Sequence, residues 1–155
     1  MKEQGLHKIQ YQAGSDLLEV NVYTLNGEPH RVGGASLTYY NRRGLPLYME
    51  YCQHGKRHRE GGPAVINRNE NGIVIYESYY EEGQAHRTDG PAVQEYHRDG
   101  TLRVAYYYHM DRLHREDGPA AIVYGAYGSV RSADYCLNGK PMTEIQWVNQ
   151  KKGLA

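Results

Sequence analysis

Residues 113–121 read LHREDGPAA, and His114, Arg115 and Asp117 fall within four positions of one another. A histidine among an arginine and acids has the makings of an acid–base site. Imidazole and carboxylate are also metal ligands, so a zinc site is the second chemistry these residue types offer. A further stretch, YHRDGTL at 96–102, contains a literal His-Arg-Asp, the core of a kinase catalytic loop. It lacks the asparagine five residues after the aspartate, the Asp-Phe-Gly partner and the glycine-rich nucleotide loop.

Where else the first phrase occurs changes its meaning. His-Arg recurs as His30-Arg31, His58-Arg59, His86-Arg87 and His114-Arg115, each step 28 residues with no insertion or deletion. The phrases around them are HRVGGAS, HREGGPA, HRTDGPA and HREDGPA. Tyr23, Tyr51, Tyr79, Tyr107 and Tyr135 keep one register upstream, and Gly44, Gly72, Gly100 and Gly128 another downstream. Self-similarity at fixed period marks a repeat architecture, in which recurring residues hold the units together. Arg87 with Asp89, and Arg115 with Asp117, can bridge within one loop while the histidine bonds to the loop of the next unit. The structural role outweighs four copies of an active site. Shared zinc ligation fails on distance, because adjacent copies lie about 9.5 Å apart at strand spacing and ligands sit about 2 Å from the metal. No metal, cofactor or catalytic residue is expected, and the chain reads as a non-enzyme.

One unit, 89–116, shows the elements that carry the phrase. AVQEYH reads as a short strand, RDG as a turn, TLRVAYYYH as a longer strand, and MDRLHREDGP as the return. Pro63, Pro91 and Pro119 are expected at the first residue of their strands. The expected fold is all-β: a repetitive single-layer antiparallel β-meander of 28-residue hairpin repeats, about ten strands, with a short C-terminal capping helix. One repeat domain spans 1–155, with an N-terminal half-repeat at 6–17, stacked hairpins at 18–137, and a degenerate repeat plus helix at 138–155. In the half-repeat, Ile9 is aligned with Leu37 and Tyr11 with Tyr39, AGSD being the first turn. At the other end Met142-Thr143 replaces His-Arg, and Thr143/Gln146 forms a capping box for a helix that seats Trp147 on the last strand.

Composition agrees with a thin structure. The chain has sixteen tyrosines, one tryptophan and no phenylalanine, and tyrosine suits rings that are buried while the hydroxyl reaches water. Formal net charge is zero, which exerts no global pull on nucleic acid or anionic membrane. The N-terminus has no apolar h-region, and the apolar runs are far too short for a membrane span, so a cytoplasmic protein without membrane partners is expected. Cys52 and Cys136 share a column three units apart, roughly 29 Å in an open sheet, so free thiols are expected.

The phrase resembles the W-Y-x-N-G-K-x-H-R-x-D-G-P-A repeats of phage and giant-virus proteins, which in rhythm are similar to MORN repeats. The resemblance covers residues 6–142. It implies stacked β-hairpins used as a binding scaffold, and a viral protein that binds and inhibits or redirects a host defence factor in the host cytoplasm. The chain departs from the pattern where the family tryptophan is tyrosine, at Ala35-Ser36, and at Asp111, which stands where Gly27, Gly55 and Gly83 stand and leaves that turn's conformation open.

Positions that vary between units point to the partner surface. Tyr48, Glu50, Tyr76, Tyr80, Tyr106 and Tyr108 fall on one face of the long strands, a tyrosine-rich patch with a charge, as at interaction hot spots. The alternative is that these rings only cover one another across strands. A protein partner is the first reading. A nucleic-acid or nucleotide binder using tyrosine stacking with Arg42, Arg43, Arg68, Arg103 and Arg131 is the second, weakened by the balancing acids. A homodimer through the N-terminal edge strand, residues 8–12, is a further option.

Overall fold

The computed structural model describes residues 4–10 and 17–153. In it β1 (Gln4–Gln10) pairs with β2 (Leu17–Leu25), whose end turns back as β3 (Glu28–Pro29). The next unit has β4 (Leu37–Asn41), β5 (Pro46–Glu50) and a small hairpin of β6 (Cys52–Gln53) and β7 (Lys56–Arg57). It is followed by β8 (Val65–Arg68), β9 (Val74–Ser78), and β10 (Tyr80–Glu81) with β11 (Gln84–Ala85). Then come β12 (Val93–Tyr96), β13 (Leu102–Tyr106), and β14 (Tyr108–His109) with β15 (Arg112–Leu113). The series ends with β16 (Ala121–Tyr124), β17 (Val130–Leu137), β18 (Lys140–Met142) and α1 (Glu144–Lys151). The fold is all-β: one antiparallel meander in the order β1-β2-β4-β5-β8-β9-β12-β13-β16-β17-β18, with a single short C-terminal helix.

Each unit contains two hairpins, where the sequence suggested one hairpin and a loop. In the three internal units the long strand does not run through the tyrosine column: it stops at Glu50, Ser78 and Tyr106, and restarts beyond Tyr51, Tyr79 and Tyr107 as the small hairpin, whereas β2 and β17 run on through Tyr23 and Tyr135. At these three tyrosines the backbone bonds run in two directions. The N–H donates outward to the carbonyl of Ala64, Ala92 or Ala120, while the tyrosine carbonyl accepts from the N–H of His58, His86 or His114 in its own unit. The chain leaves the main sheet at this residue. Pro63, Pro91 and Pro119 lie two residues ahead of β8, β12 and β16 rather than at their first residue.

The small hairpins turn on two residues, both with positive φ: His54-Gly55, Glu82-Gly83, Met110-Asp111 and Asn138-Gly139. That is the type I′ turn, whose twist matches the flanking strands. Asp111 keeps the conformation of its glycine counterparts, with φ 61 against 74 at Gly55 and 87 at Gly83. Its carboxylate accepts from the Ala85 N–H at 2.7 Å. The turns also stack, since the N–H groups of Gly55, Gly83, Asp111 and Gly139 donate to the carbonyls of Pro29, Arg57, Ala85 and Leu113 in the preceding unit.

The core is thin. Ala64, Ala92 and Ala120, the last residue of each Gly-Pro-Ala, are 0% exposed, and among the described residues no side chain larger than serine is buried completely. Cys52 and Cys136 are buried free thiols, and burial raises the pKa of both.

The ends differ from the sequence alignment. His7, not Ile9, faces Val22 across from Leu37, a two-residue shift that preserves the faces. The span from the last paired residue of β1 to the first of β2 is longer than in the internal hairpins: Gln10 pairs with Glu19, whereas Tyr40 pairs with Pro46. Tyr11 and the AGSD turn lie outside the described residues. At the other end, Thr143 and Gln146 form the reciprocal capping box, and Trp147 packs on Tyr135 with ring centroids 5.1 Å apart.

Met110, like Glu82 at the same turn position, is poorly suited to its backbone, because a left-handed conformation without glycine or asparagine costs about 1 kcal/mol. Replacing Met110 with Asn should stabilise the protein by about 0.5–1 kcal/mol, read as a melting temperature raised by about 1–4 °C.

Candidate functional site

The repeated phrase builds one construction four times. The guanidinium of Arg31, Arg59, Arg87 or Arg115 lies over the ring eight residues earlier, Tyr23, Tyr51, Tyr79 or Tyr107, at 3.8, 3.8, 4.0 and 3.9 Å from the ring centroid. Its Nη1 donates to the carbonyl four residues on, of Ala35, Pro63, Pro91 or Pro119. The glycine between them lies against the cation. A Cβ at Gly34, Gly62, Gly90 or Gly118 would come within 2.7, 3.1, 3.1 and 3.2 Å of Cζ of that arginine. The cation is therefore held between an aromatic ring and a residue that has no side chain to spare. Arg-x-x-Gly and Tyr-x7-Arg follow directly from this packing.

In the third and fourth units Asp89 and Asp117 accept from Nε of Arg87 and Arg115 at 2.7 and 2.6 Å. These bonds hold both carboxyls below the ordinary aspartate range. The first two units have Gly33 and Gly61 at this place. Histidine joins the units: Nδ1 of His30, His58 and His114 accepts from the backbone N–H of His54, Glu82 and Asn138 in the next small hairpin. Nδ1 of His86 is buried without such a partner. Among the described residues no group of three histidine, cysteine, aspartate or glutamate side chains could hold a metal ion.

The varying tyrosines come together around the ends of the long strands and the small hairpins. Glu50 accepts from Nε of Arg57 at 2.5 Å, and Arg57 reaches the hydroxyl of Tyr80 at 3.5 Å while lying 5.3 Å from its ring centroid. Tyr48 stands against the same pair, its pKa pushed up to about 12 by burial and by the Glu50 charge. The Tyr106 and Tyr108 rings are 6.2 Å apart. Burial, and next the proximity of Tyr106, Tyr80 and Tyr76, raises the pKa of Tyr108. All six residues are half-buried. The rings do cover one another in part, and each retains an exposed portion.

Sequence reasoning missed a third feature. Between successive His-Arg loops lie three clefts of about 420, 470 and 530 Å³, floored by Tyr51, Tyr79 and Tyr107. Arg59 borders the first and second, and Arg87 the second and third, so the clefts form one segmented groove. Tyr80 and Tyr108 stand where this groove meets the tyrosine patch. The signal was the phrase itself: a motif that joins units also lines whatever lies between them.

No family model, curated protein or solved structure matches the chain. Among the described residues no helix is long and apolar enough to cross a membrane.

Arg87→Lys should destabilise the protein by about 1–2 kcal/mol, since an ammonium cannot lie flat between ring and glycine while donating to a carbonyl; a urea melt measures it. The aspartates add a pH dependence. Their folded pKa lies below the unfolded value, so their contribution is present above about pH 4 and is lost as pH falls through the folded value. An Asp89→Asn, Asp117→Asn double variant should therefore lose less melting temperature than wild type between neutral pH and acid below that point.

Proposed function

We propose that the chain is a non-catalytic protein-binding scaffold whose partner docks on Tyr48, Glu50, Tyr76, Tyr80, Tyr106 and Tyr108. The observation that carries this reading is the clustering of four tyrosines from two units, Tyr76, Tyr80, Tyr106 and Tyr108, beside the Glu50–Arg57 ion pair. Rings already held by neighbours lose little side-chain entropy on binding, and tyrosine offers both apolar area and a hydroxyl. A pair such as Glu50–Arg57 in the patch gives orientation more than affinity.

Protein is favoured over nucleic acid because arginines named for phosphate contact already have partners. Arg103 is paired with Glu95, while Arg43 and Arg68 donate to the carbonyls of Glu70 and Pro46. The resemblance to phage and giant-virus repeats makes a host factor in the cytoplasm the partner class of first choice.

The test is affinity capture on tagged protein from host lysate, alongside a Tyr76→Ser, Tyr80→Ser, Tyr106→Ser, Tyr108→Ser variant shown by its melt to be folded. One stoichiometric protein held by wild type and absent from the variant is the expected result. Equal retention by both, or retention of nucleic acid alone, would overturn the reading.

A further inference from the structure

The three clefts recur at the repeat step. One unit contributes two strands to the main sheet, so successive clefts lie about 9.6 Å apart. A ligand that lies along the array must present equivalent groups at that interval on one side. A polyproline II helix does so, with three residues per turn and about 3.1 Å per residue, hence about 9.3 Å per turn. The mismatch accumulated from first cleft to third is about 0.6 Å. An extended strand reverses its side chains at each residue, so positions three apart face opposite ways. An α-helix rising about 1.5 Å per residue covers the step in about 6.4 residues, which is not a whole number of turns.

We infer that the groove floored by Tyr51, Tyr79 and Tyr107 binds a proline-rich segment in the polyproline II conformation, running across the strands with every third residue seated in a successive cleft. The groove suits this ligand because proline rings pack on aromatic and flat guanidinium surface, both of which line the clefts, and the segment is ordered before it binds. Charge sets the ends. The first cleft has two arginines, Arg31 and Arg59, against one acid, Glu60. The third has two, Arg87 and Arg115, against three acids, Asp89, Glu116 and Asp117. The segment therefore has an acidic flank over the first cleft and a basic flank over the third. The groove differs from the tyrosine patch in all but Tyr80 and Tyr108, and a partner using both surfaces would be held at two places.

Fluorescence anisotropy tests this with the whole chain and a short fluorescein-labelled peptide that has proline at every third position, glutamate at one end and lysine at the other. Saturable binding is expected, weakened about tenfold or more, or by about 1.4 kcal/mol, when the prolines are replaced by glycine and serine. Thr88 is exposed and borders the second and third clefts, and exposed Glu60 borders the first and second. Thr88→Trp fills the groove and should abolish binding without a change in melting, and Glu60→Trp serves the same purpose should Thr88→Trp fail to fold. A Tyr76→Ser, Tyr106→Ser variant, altered only in the patch, should bind the peptide as wild type does. No binding up to about 1 mM peptide, equal binding of the proline-free peptide, or full binding by both folded tryptophan variants would overturn the inference. Peptide failure together with patch-dependent capture of a protein would remove the groove and leave the scaffold reading standing.

Discussion

A planar cation pressed between a tyrosine ring and a glycine, and tied to a carbonyl at its edge, is the interaction on which the other contacts of each unit depend. It occurs where the chain leaves the main sheet, so it fixes the angle at which the small hairpin departs. A cation–π contact contributes about 0.5–2 kcal/mol, and a hydrogen bond from a charged group about 1.5–3 kcal/mol. Against a total stability of about 5–15 kcal/mol, four such assemblies matter greatly to a sheet in which, among the described residues, the completely buried side chains are no larger than serine. The arginine does what a thick apolar core does elsewhere. At the last unit the same need is met by another residue: Thr143 stands eight positions after Tyr135, and Trp147 from α1 covers that ring instead. The Trp147 indole N–H also donates to the Arg115 carbonyl at 3.4 Å, which ties the helix to the unit before it.

Two kinds of contact between units recur along the stack, and both run to nearest neighbours. The long and short strands pair edge to edge in the meander. Independently, turn N–H groups and histidine Nδ1 atoms link one small hairpin to the next. The junction at His86 departs from the rule: its Nδ1 has no donor, and the Asp111 carboxylate takes over by accepting from the Ala85 N–H. A substitution at one turn is thus balanced by a different bond at the same junction, and the stack keeps its register.

Much of this was legible in the sequence because period is stronger information than propensity. The 28-residue step located every unit, the alternation in TLRVAY gave the long strand, and Thr143 with Gln146 gave the helix start. The loop bridges Arg87–Asp89 and Arg115–Asp117 also followed from spacing. What did not follow was the break at Tyr51, Tyr79 and Tyr107, because a tyrosine among strand-forming neighbours looks like more strand. The ring's partner is eight residues away, and no local pattern of period two reveals it. The register of β1 was misjudged by two because numerical alignment assumes that every hairpin spans the same number of residues. For the patch, the sequence placed all six residues on one face of the long strands, but Tyr80 and Tyr108 lie beyond those strands, in β10 and β14. The Glu50–Arg57–Tyr80 contact links a long strand to small hairpins of two units, which no strand pattern reveals. The groove was invisible for a different reason: its walls are the repeated residues, which periodicity had assigned to cohesion.

The strict spacing of the small hairpins has an evolutionary side. The backbone bonds between successive turns join positions that recur from unit to unit, such as Gly83 to Arg57 and Gly55 to Pro29. Recombination that adds or removes a whole unit in frame recreates the same junction with residues already selected to form it. Any other length change puts a turn N–H opposite the wrong carbonyl. Such a gene changes length in steps of one unit, and each step adds or removes one cleft while leaving both end structures untouched.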